Sequence, residues 1–181
     1  MAKLVSKTYG EALFELALEQ DPQDFLEQIS QLREILEQNP EFRKLMMHPG
    51  ISKQEKSRVV QEVFGGRLRD ELTGFLEIIV SKERYGDLPD IMDYFIARMK
   101  EYQKIGVAYV TTAVALTPAR QAQVEARLLE TTGYEKMEMN YLVDESIIGG
   151  MVIRINDRVV DSSVKSKLED LTKQLLQIQL G

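Results

Sequence analysis

Residues 142–164 read LVDESIIGGMVIRINDRVVDSSV, and this stretch decides how the second half of the chain folds. Asp144 opens a polar turn, and Gly149-Gly150 follows, where the backbone lacks a Cβ atom and can turn or approach another strand closely. Met151 to Ile155 is then a short apolar run of the length expected for a strand. The stretch therefore predicts a turn that leads into a β-strand.

The second part of this stretch predicts a hairpin and a helix start. Asn156-Asp157 is a two-residue connection whose members tolerate positive φ, so a tight hairpin fits, with the return strand beginning at Arg158. Asp161, Ser162 or Ser163 can then accept hydrogen bonds from free backbone N–H groups and cap the last helix.

This stretch resembles the C-terminal signature of the F-type ATP synthase delta subunit family, which includes the mitochondrial oligomycin-sensitivity-conferral protein. The family often has proline where this chain has Glu145. The positions that carry the signature are Val143, Asp144, Ser146, Ile148, Gly149, Gly150, Val160, Asp161 and Ser163.

Composition narrows the class of protein. The chain has 181 residues, a formal net charge of −6 and no basic half, which argues against duplex nucleic acid as a partner. It has no cysteine, which removes disulfides and thiolate chemistry and fits a reducing compartment. No apolar run approaches the roughly 20 residues needed to span a bilayer, and we expect no direct membrane insertion.

The first half predicts six short helices with brief connections, which is typical of an antiparallel bundle. Start signals are Asp21-Pro22, Asn39-Pro40, the capping box that begins at Ser52, and Asp87-Leu88-Pro89. The first helix is predicted over Tyr9 to Leu18.

The first and fifth helices have apolar arcs too wide for one core-facing stripe. Each predicts either a central core helix or a helix shared between the core and an outside partner. If the two lie side by side, their surplus faces form a groove. The candidate members of this groove are Tyr9, Leu13, Leu16, Phe75, Leu76 and Ile79.

The pattern changes near Gly106, so we predict a helical bundle over 1–105 and a small α/β domain over 106–181. A strand from Val107, a helix from Thr117-Pro118 and an alternating strand from Met137 indicate a parallel pair with a crossover helix. The closing helix has an apolar stripe from Val164 to Ile178, expected to cover the sheet or to grip another helix. The fold class is therefore mainly α, with a six-helix bundle followed by strand–helix–strand, hairpin and helix.

No catalytic constellation is recognisable, and we expect no cofactor, no metal site and no catalytic residue. His48 is the single histidine and lies in a turn, and the chain has no cysteine, so we expect neither the usual Ser–His or Cys–His pair nor a histidine-rich zinc site. The glycine pairs lack a phosphate-binding frame. Arg84 lies close to Glu83 and Asp87 in the sequence. This placement indicates either a structural ion pair or an arginine that anchors an interface.

Two weaker blocks are also similar to the delta family: Tyr9 to Ala17, and Glu83 to Ile91. The resemblance implies a non-catalytic stator subunit that links the alpha-subunit N-terminal helix of the catalytic head to b-type peripheral-stalk subunits. Proton-driven rotation is thereby coupled to ATP synthesis. It also implies a peripheral membrane protein on the cytoplasmic face. For the stalk contact, the candidates are Leu171, Leu175 and Ile178.

Two other functions stay open from the residues alone. One is a small cytosolic enzyme that binds a ligand between the two domains, although no convergent set of polar residues marks such a cleft. The other is an unrelated helical scaffold. The absence of a catalytic constellation and the wide apolar arcs favour an adaptor protein, and the resemblance makes that adaptor a stator subunit.

Overall fold

The structure is a computed structural model that describes residues 2–156 and 158–179, with side chains described at 4–156 and 158–173. The chain divides into two compact units, Met1–Met99 and Lys100–Gly181. Among the described residues, no helix has both the length and the apolar character that crossing a bilayer requires.

The six helices predicted for the first half are all present. The first begins at Ala2 and not at Tyr9, because no glycine or proline interrupts the residues before Tyr9. Their bounds are α1 (Ala2–Glu19), α2 (Pro22–Gln38), α3 (Pro40–Met47), α4 (Lys53–Phe64), α5 (Asp70–Ser81) and α6 (Leu88–Tyr102).

Two of the predicted helix caps are confirmed. The Asp21 carboxylate accepts hydrogen bonds from the backbone N–H groups of Gln23 and Asp24, both at 3.1 Å. Ser52 and Glu55 form the reciprocal capping box, with each side chain accepting from the other residue's backbone N–H. These bonds satisfy donors that the first turn of a helix would otherwise leave without partners.

Two other predicted N-caps, Asn39 and Thr117, are confirmed in position but make no capping hydrogen bond to the described residues. Asn39 instead donates its amide to the carbonyl of Ile35 at 2.7 Å, because it also follows the last turn of α2. That carbonyl belongs to the group of acceptors that a helix C-terminus leaves open.

The Tyr94 ring of α6 packs closely against the α1 backbone at Gly10. A Cβ atom at Gly10 would lie 2.4 Å from Cδ1 of Tyr94. The Tyr94 hydroxyl donates to the Glu11 carboxylate at 2.5 Å, and the Arg98 guanidinium lies 4.9 Å from the centre of the Phe14 ring. The core beneath this contact includes Phe95, which is fully buried.

The second unit is a four-stranded sheet with two helices. The sheet has the order β2-β1-β3-β4, with β1 and β2 parallel and the other neighbours antiparallel, so the predicted crossover and hairpin are confirmed. The bounds are β1 (Ile105–Thr112), α7 (Pro118–Thr131), β2 (Lys136–Val143), β3 (Met151–Ile155), β4 (Arg158–Asp161) and α8 (Val164–Gln179).

Helix α7 packs on one face of this sheet. Leu128 of α7 is buried against Ala108 of β1 and Met137 of β2. The strand residues that face α7 alternate with residues on the opposite face, as β-strand geometry requires. In β1 this alternation leaves Tyr109 on the face away from α7, under the guanidinium of Arg154 at 4.7 Å.

For helix α8, the sequence left two options open: its stripe covers the sheet or grips another helix. The described part of its apolar stripe does not cover the sheet, since Val164, Leu168 and Leu171 are 38%, 50% and 54% exposed. The periodicity of apolar residues identifies the stripe, but it does not show whether the stripe packs against this chain or against a partner chain. The side chains of Leu175 and Ile178 lie outside the described residues.

Gly10→Ala is expected to destabilise the first unit, because the added methyl group clashes with the Tyr94 ring. Gly74→Ala is the matched control: Gly74 also lies inside a helix, but a Cβ there meets no atom within 4 Å. Replacing a helical glycine by alanine in open space stabilises a helix by about 1 kcal/mol. Thermal melting should therefore show a lower Tm for Gly10→Ala and a higher Tm for Gly74→Ala. A rise in both would show that Tyr94 moves aside without cost.

Candidate partner-binding surfaces

The signature segment begins with a turn that Asp144 holds in place. The Asp144 carboxylate accepts the backbone N–H of Ser146 at 2.9 Å, at the start of a 3-10 turn over Glu145–Ile147. Hydrogen bonds from the Ser146 side chain and backbone lower the pKa of Asp144 below its ordinary value. Asp144 and Ser146 therefore shape the backbone and are not placed for catalysis.

Ile148 follows this turn in a strained conformation. Its φ is 67° and its side chain is 63% exposed. A β-branched residue at positive φ is a rare arrangement that costs about 1–3 kcal/mol. The side chain of Ile148 is mostly exposed, so its burial within this chain offsets little of the free-energy cost of the strained backbone.

The two glycines of the signature tie the hairpin to α8. The Gly149 carbonyl accepts the N–H of Val164 at 2.9 Å. Gly150 has a φ of 76°, and a Cβ atom there would lie 2.4 Å from the carbonyl oxygen of Ser162. Both its backbone angle and its close contact therefore require glycine at position 150.

Asp161 and Ser163 start α8. The Asp161 carboxylate accepts the N–H of Ser163 at 2.8 Å and the hydroxyl of Ser166 at 2.5 Å. The Ser163 hydroxyl accepts the N–H of Ser166 at 3.2 Å, as an N-cap residue does. Hydrogen bonds, first from the Ser166 side chain and then from Ser163, lower the pKa of Asp161.

The remaining signature positions are two exposed valines. Val143 and Val160 are 56% and 63% exposed, at the ends of β2 and β4. More than half of each side chain is therefore open to solvent, so burial within this chain does not explain them.

In the first unit, the structure sorts the predicted groove residues into two groups. Leu13, Leu76 and Ile79 are 2%, 3% and 0% exposed, so their assignment to a binding surface is corrected: they form the core of the bundle. A wide apolar arc on a helix includes the core-facing stripe, and the sequence does not mark where that stripe ends.

The other three predicted residues lie at the surface. Tyr9, Leu16 and Phe75 are partly exposed, and the rings of Tyr9 and Phe75 meet edge to face with centroids 6.4 Å apart. This contact brings α1 and α5 side by side, as the groove requires.

Sequence reasoning missed three further members of this surface. Val5 and Ala12 precede and follow Tyr9 at helical spacing on the same side of α1, and Ile78 lies one turn after Phe75 and is 50% exposed. The spacing of Val5, Tyr9, Ala12 and Leu16 at steps of four, three and four could have revealed the row. The α1–α5 surface is defined here by Val5, Tyr9, Ala12, Leu16, Phe75 and Ile78.

The polar residues that sequence analysis set aside have structural partners. His48 accepts the backbone N–H of Gly50 at 3.1 Å through Nδ1, and Arg84 lies 3.5 Å from the Asp87 carboxylate. Burial raises the pKa of Tyr85 to about 12. In the part of the chain that the structure describes, no group of three or more metal-ligating side chains is assembled.

The comparison with known families decides the identity. The family model of the ATP synthase delta (OSCP) subunit matches residues 5–175, nearly the whole chain. The chain belongs to this family. Its members are structural, non-catalytic subunits of the ATP synthase peripheral stalk that link the catalytic head to the stator.

Individual delta subunits and one solved structure support the assignment. The chain is 53% identical to ATP synthase subunit delta of Lachnoclostridium phytofermentans over 182 residues, with 100% of both chains covered. It is 33% identical to the subunit delta of Alkaliphilus oremlandii, covering 98% of this chain and 99% of that one. A chain of the Toxoplasma gondii mitochondrial ATP synthase hexamer shares the fold, with a TM-score of 0.75, 22% identity and coverage of 94% and 97%.

Membership in the delta family settles the alternatives that the residues left open. The chain is a membrane-peripheral, non-catalytic subunit of the ATP synthase complex, and it is neither a small enzyme nor an unrelated scaffold. As a delta-family chain, it assembles with the other subunits of the ATP synthase, in its peripheral stalk.

Gly150→Ala is expected to destabilise the delta-family chain more than Gly66→Ala does. Both glycines have positive φ, at 76° and 71°, so both substitutions strain the backbone by about 1–2 kcal/mol. Only Gly150 also faces a backbone atom at 2.4 Å, whereas a Cβ at Gly66 meets nothing within 4 Å. Urea unfolding of the two variants measures the difference. Equal losses would mean that the Ser162 contact relaxes freely.

Acid should weaken the start of α8 through Asp161. Because its pKa is lowered in the folded chain, its carboxylate stabilises the fold above its ordinary value of 3.8. That contribution disappears as the pH falls through the lowered folded-state pKa. Thermal melting between neutral pH and about pH 2 should show a smaller acid-dependent fall in Tm for Asp161→Asn than for the wild type. Asp170→Asn is the control, since Asp170 meets Lys173 at 3.9 Å and not a serine pair. A similar change in both variants would contradict the assignment.

Proposed function

We propose that the α1–α5 surface binds the N-terminal helix of an alpha subunit and that the second unit binds the end of the b-type stalk. The chain would then hold the catalytic head still while the proton-driven rotor turns, so that rotation is coupled to ATP synthesis. The observation that carries the first contact is the row of exposed apolar residues where α1 and α5 meet.

The α1–α5 surface has the form that receives an amphipathic helix. Tyr9 and Phe75 contact each other at 6.4 Å, and Leu16 and Ile78 extend apolar surface away from this ring pair. In helix-in-groove recognition, an incoming helix places residues at steps of three and four into such a row. A contact that outlasts many rotor turns needs slow dissociation, and nanomolar binding, about 12 kcal/mol, is a suitable scale.

For the stalk, the second unit offers apolar surface that this chain leaves open. Leu171 on α8 is 54% exposed, and with Leu175 and Ile178 it continues the stripe that begins at Val164. We keep these three residues as proposed stalk contacts. Exposed apolar rows on a subunit of a stable complex are typical of interfaces.

The domain and location proposals follow from the same role. We propose two domains, 1–105 and 106–181, with β1 beginning at Ile105. We further propose that the complex holds this subunit on the cytoplasmic face of the cell membrane, through the stalk and not through a membrane segment of its own.

Ile78→Asp is expected to weaken binding of a synthetic alpha-subunit N-terminal peptide at least tenfold, about 1.4 kcal/mol. Burying an isoleucine is worth roughly 1.5–3 kcal/mol, and a charge at the contact adds a desolvation cost. Ile78 is half exposed in the free chain, so helical content and Tm should change little. Fluorescence anisotropy of the labelled peptide measures the affinity. Ile79, which is 0% exposed, is unsuitable for this test because its substitution would disrupt the core.

Ile35→Asp provides the matched control. Ile35 is also 50% exposed but lies on α2, outside the α1–α5 surface. It should bind the peptide as the wild type does. Equal weakening by both variants, or no weakening by Ile78→Asp, would show that the alpha-subunit helix binds elsewhere.

A further inference from the structure

A cavity of about 190 Å³ lies in the first unit, among α2, α3 and α6. None of its lining residues belongs to the α1–α5 surface, so the proposed contact with the alpha subunit does not use it. Leu88 and Met92 of α6, which are 1% and 2% exposed, connect the cavity to the core of the bundle. The rest of its apolar lining consists of Leu36, Pro40 and Pro89.

One wall of the cavity comes from the second block that is similar to the delta family, Glu83 to Ile91. This block supplies Tyr85, Leu88 and Pro89. Tyr85 opens a 3-10 turn, and its ring packs edge to face against Phe42 of α3, with ring centroids 6.2 Å apart. Tyr85 is 8% exposed, so packing within the bundle holds its side chain in place.

The Tyr85 hydroxyl has a free hydrogen-bonding capacity that faces the cavity. Among the described residues, no side chain or backbone group bonds to this hydroxyl, whereas every fully enclosed side-chain oxygen or nitrogen atom has a partner. The hydroxyl oxygen is therefore not fully enclosed, and the open space beside Tyr85 is the cavity that it lines. A tyrosine hydroxyl in a buried position ordinarily finds a hydrogen-bond partner, so this one is available to a ligand.

Arg43 of α3 places a positive charge at the same cavity. In the part of the chain that the structure describes, no carboxylate lies within 4 Å of its guanidinium. Burial raises the pKa of Tyr85 to about 12, and the charge of Arg43 opposes that rise. The Tyr85 hydroxyl therefore keeps its proton at neutral pH. An uncompensated guanidinium and a protonated hydroxyl are two donors that suit an anion.

The other charged residues of the lining neutralise each other. The Arg33 guanidinium donates to the Asp93 carboxylate at 2.9 Å and to the Glu37 carboxylate at 3.2 Å. These bonds hold α2 against α6 and form the wall before any ligand arrives. Glu37 is the single carboxylate in the lining, and its charge is compensated by Arg33. Arg43 therefore supplies the charge that remains for a ligand.

The size of the cavity limits the ligand to a small molecule. An engineered apolar cavity of about 150 Å³ accommodates benzene, so the 190 Å³ here has room for one ring or a branched chain with one carboxylate. Five apolar residues make up the rest of the lining, which suits an organic body better than a fully hydrated inorganic anion.

We propose that this cavity is a binding site for a small organic monocarboxylate with an aromatic or branched apolar body. The carboxylate lies between the Arg43 guanidinium and the Tyr85 hydroxyl, and the apolar body lies against Leu88 and Met92. A bound ligand connects α3 to α6 and thereby stabilises the bundle. The site is separate from the contacts proposed above for the alpha subunit and the stalk.

The test uses benzoate as the probe and the full-length chain labelled with ¹³C at its methionine methyl groups. Benzoate should shift the Met92 methyl resonance with a Kd of about 1 mM or lower, because the ring current of the bound probe acts on the methyl group beside it. Benzamide, which has the same ring but no charge, should bind at least tenfold more weakly. Met139 of the second unit should not shift with either probe.

Two substitutions test the polar end of the site. Arg43→Gln and Tyr85→Phe should each weaken benzoate binding about tenfold, because each removes a donor to a charged group. Arg67→Gln is the matched control: Arg67 is likewise exposed in the first unit, but it follows α4 and does not line the cavity. It should bind benzoate as the wild type does. Circular dichroism checks that each variant is folded.

Four outcomes would overturn the proposal. They are no Met92 shift at about 10 mM benzoate, tenfold above the expected Kd; equal binding of benzoate and benzamide; equal shifts of Met92 and Met139; or wild-type affinity in both Arg43→Gln and Tyr85→Phe. The folded Arg43→Gln variant should also bind the alpha-subunit peptide normally. Weaker peptide binding would show that the cavity belongs to the alpha-subunit contact, and it would overturn the assignment of a separate site while leaving the proposed function in place.

Discussion

The second unit depends on the contact between Gly149-Gly150 and the residues that begin α8. Val164 donates to the Gly149 carbonyl at 2.9 Å, and Ser162 donates to the Met151 carbonyl at 3.0 Å. These bonds close the base of the hairpin and set the point from which α8 departs. A side chain at Gly150 would separate the two segments, so the rest of the unit, including the orientation of β4, follows from a backbone approach that only glycine permits.

Both units present exposed apolar surfaces, and the chain belongs to a family of non-catalytic subunits. In the first unit, the rings of Tyr9 and Phe75 mark where two helices leave an apolar row open. In the second, Val160 of β4 is 63% exposed, and Leu168 and Leu171 of α8 are 50% and 54% exposed. Each uncovered surface lies on regular secondary structure, which holds a partner more rigidly than loops would. A stator subunit needs such rigidity because torque acts on both of its contacts.

Much of this fold could be predicted from the sequence. Caps at Asp21 and Ser52 and the hairpin at Asn156 are local, so the residues themselves report them. The predictions that were wrong concern packing between residues far apart in the sequence. An apolar arc on α5 contains both Ile79 in the core and Ile78 at the surface, and spacing alone does not separate them.

The parallel pairing of β1 with β2 affects how the chain folds. Ile105 pairs with Lys136, so the two strands meet only after the whole of α7 and its connections have been placed between them. The helices of the first unit, by contrast, form from neighbouring residues and emerge first during synthesis. Non-local pairing slows folding, and domains fold in the order in which they leave the ribosome. The bundle that is proposed to meet the catalytic head is therefore expected to be complete before the sheet closes, and the unit that is proposed to bind the stalk becomes competent for assembly last.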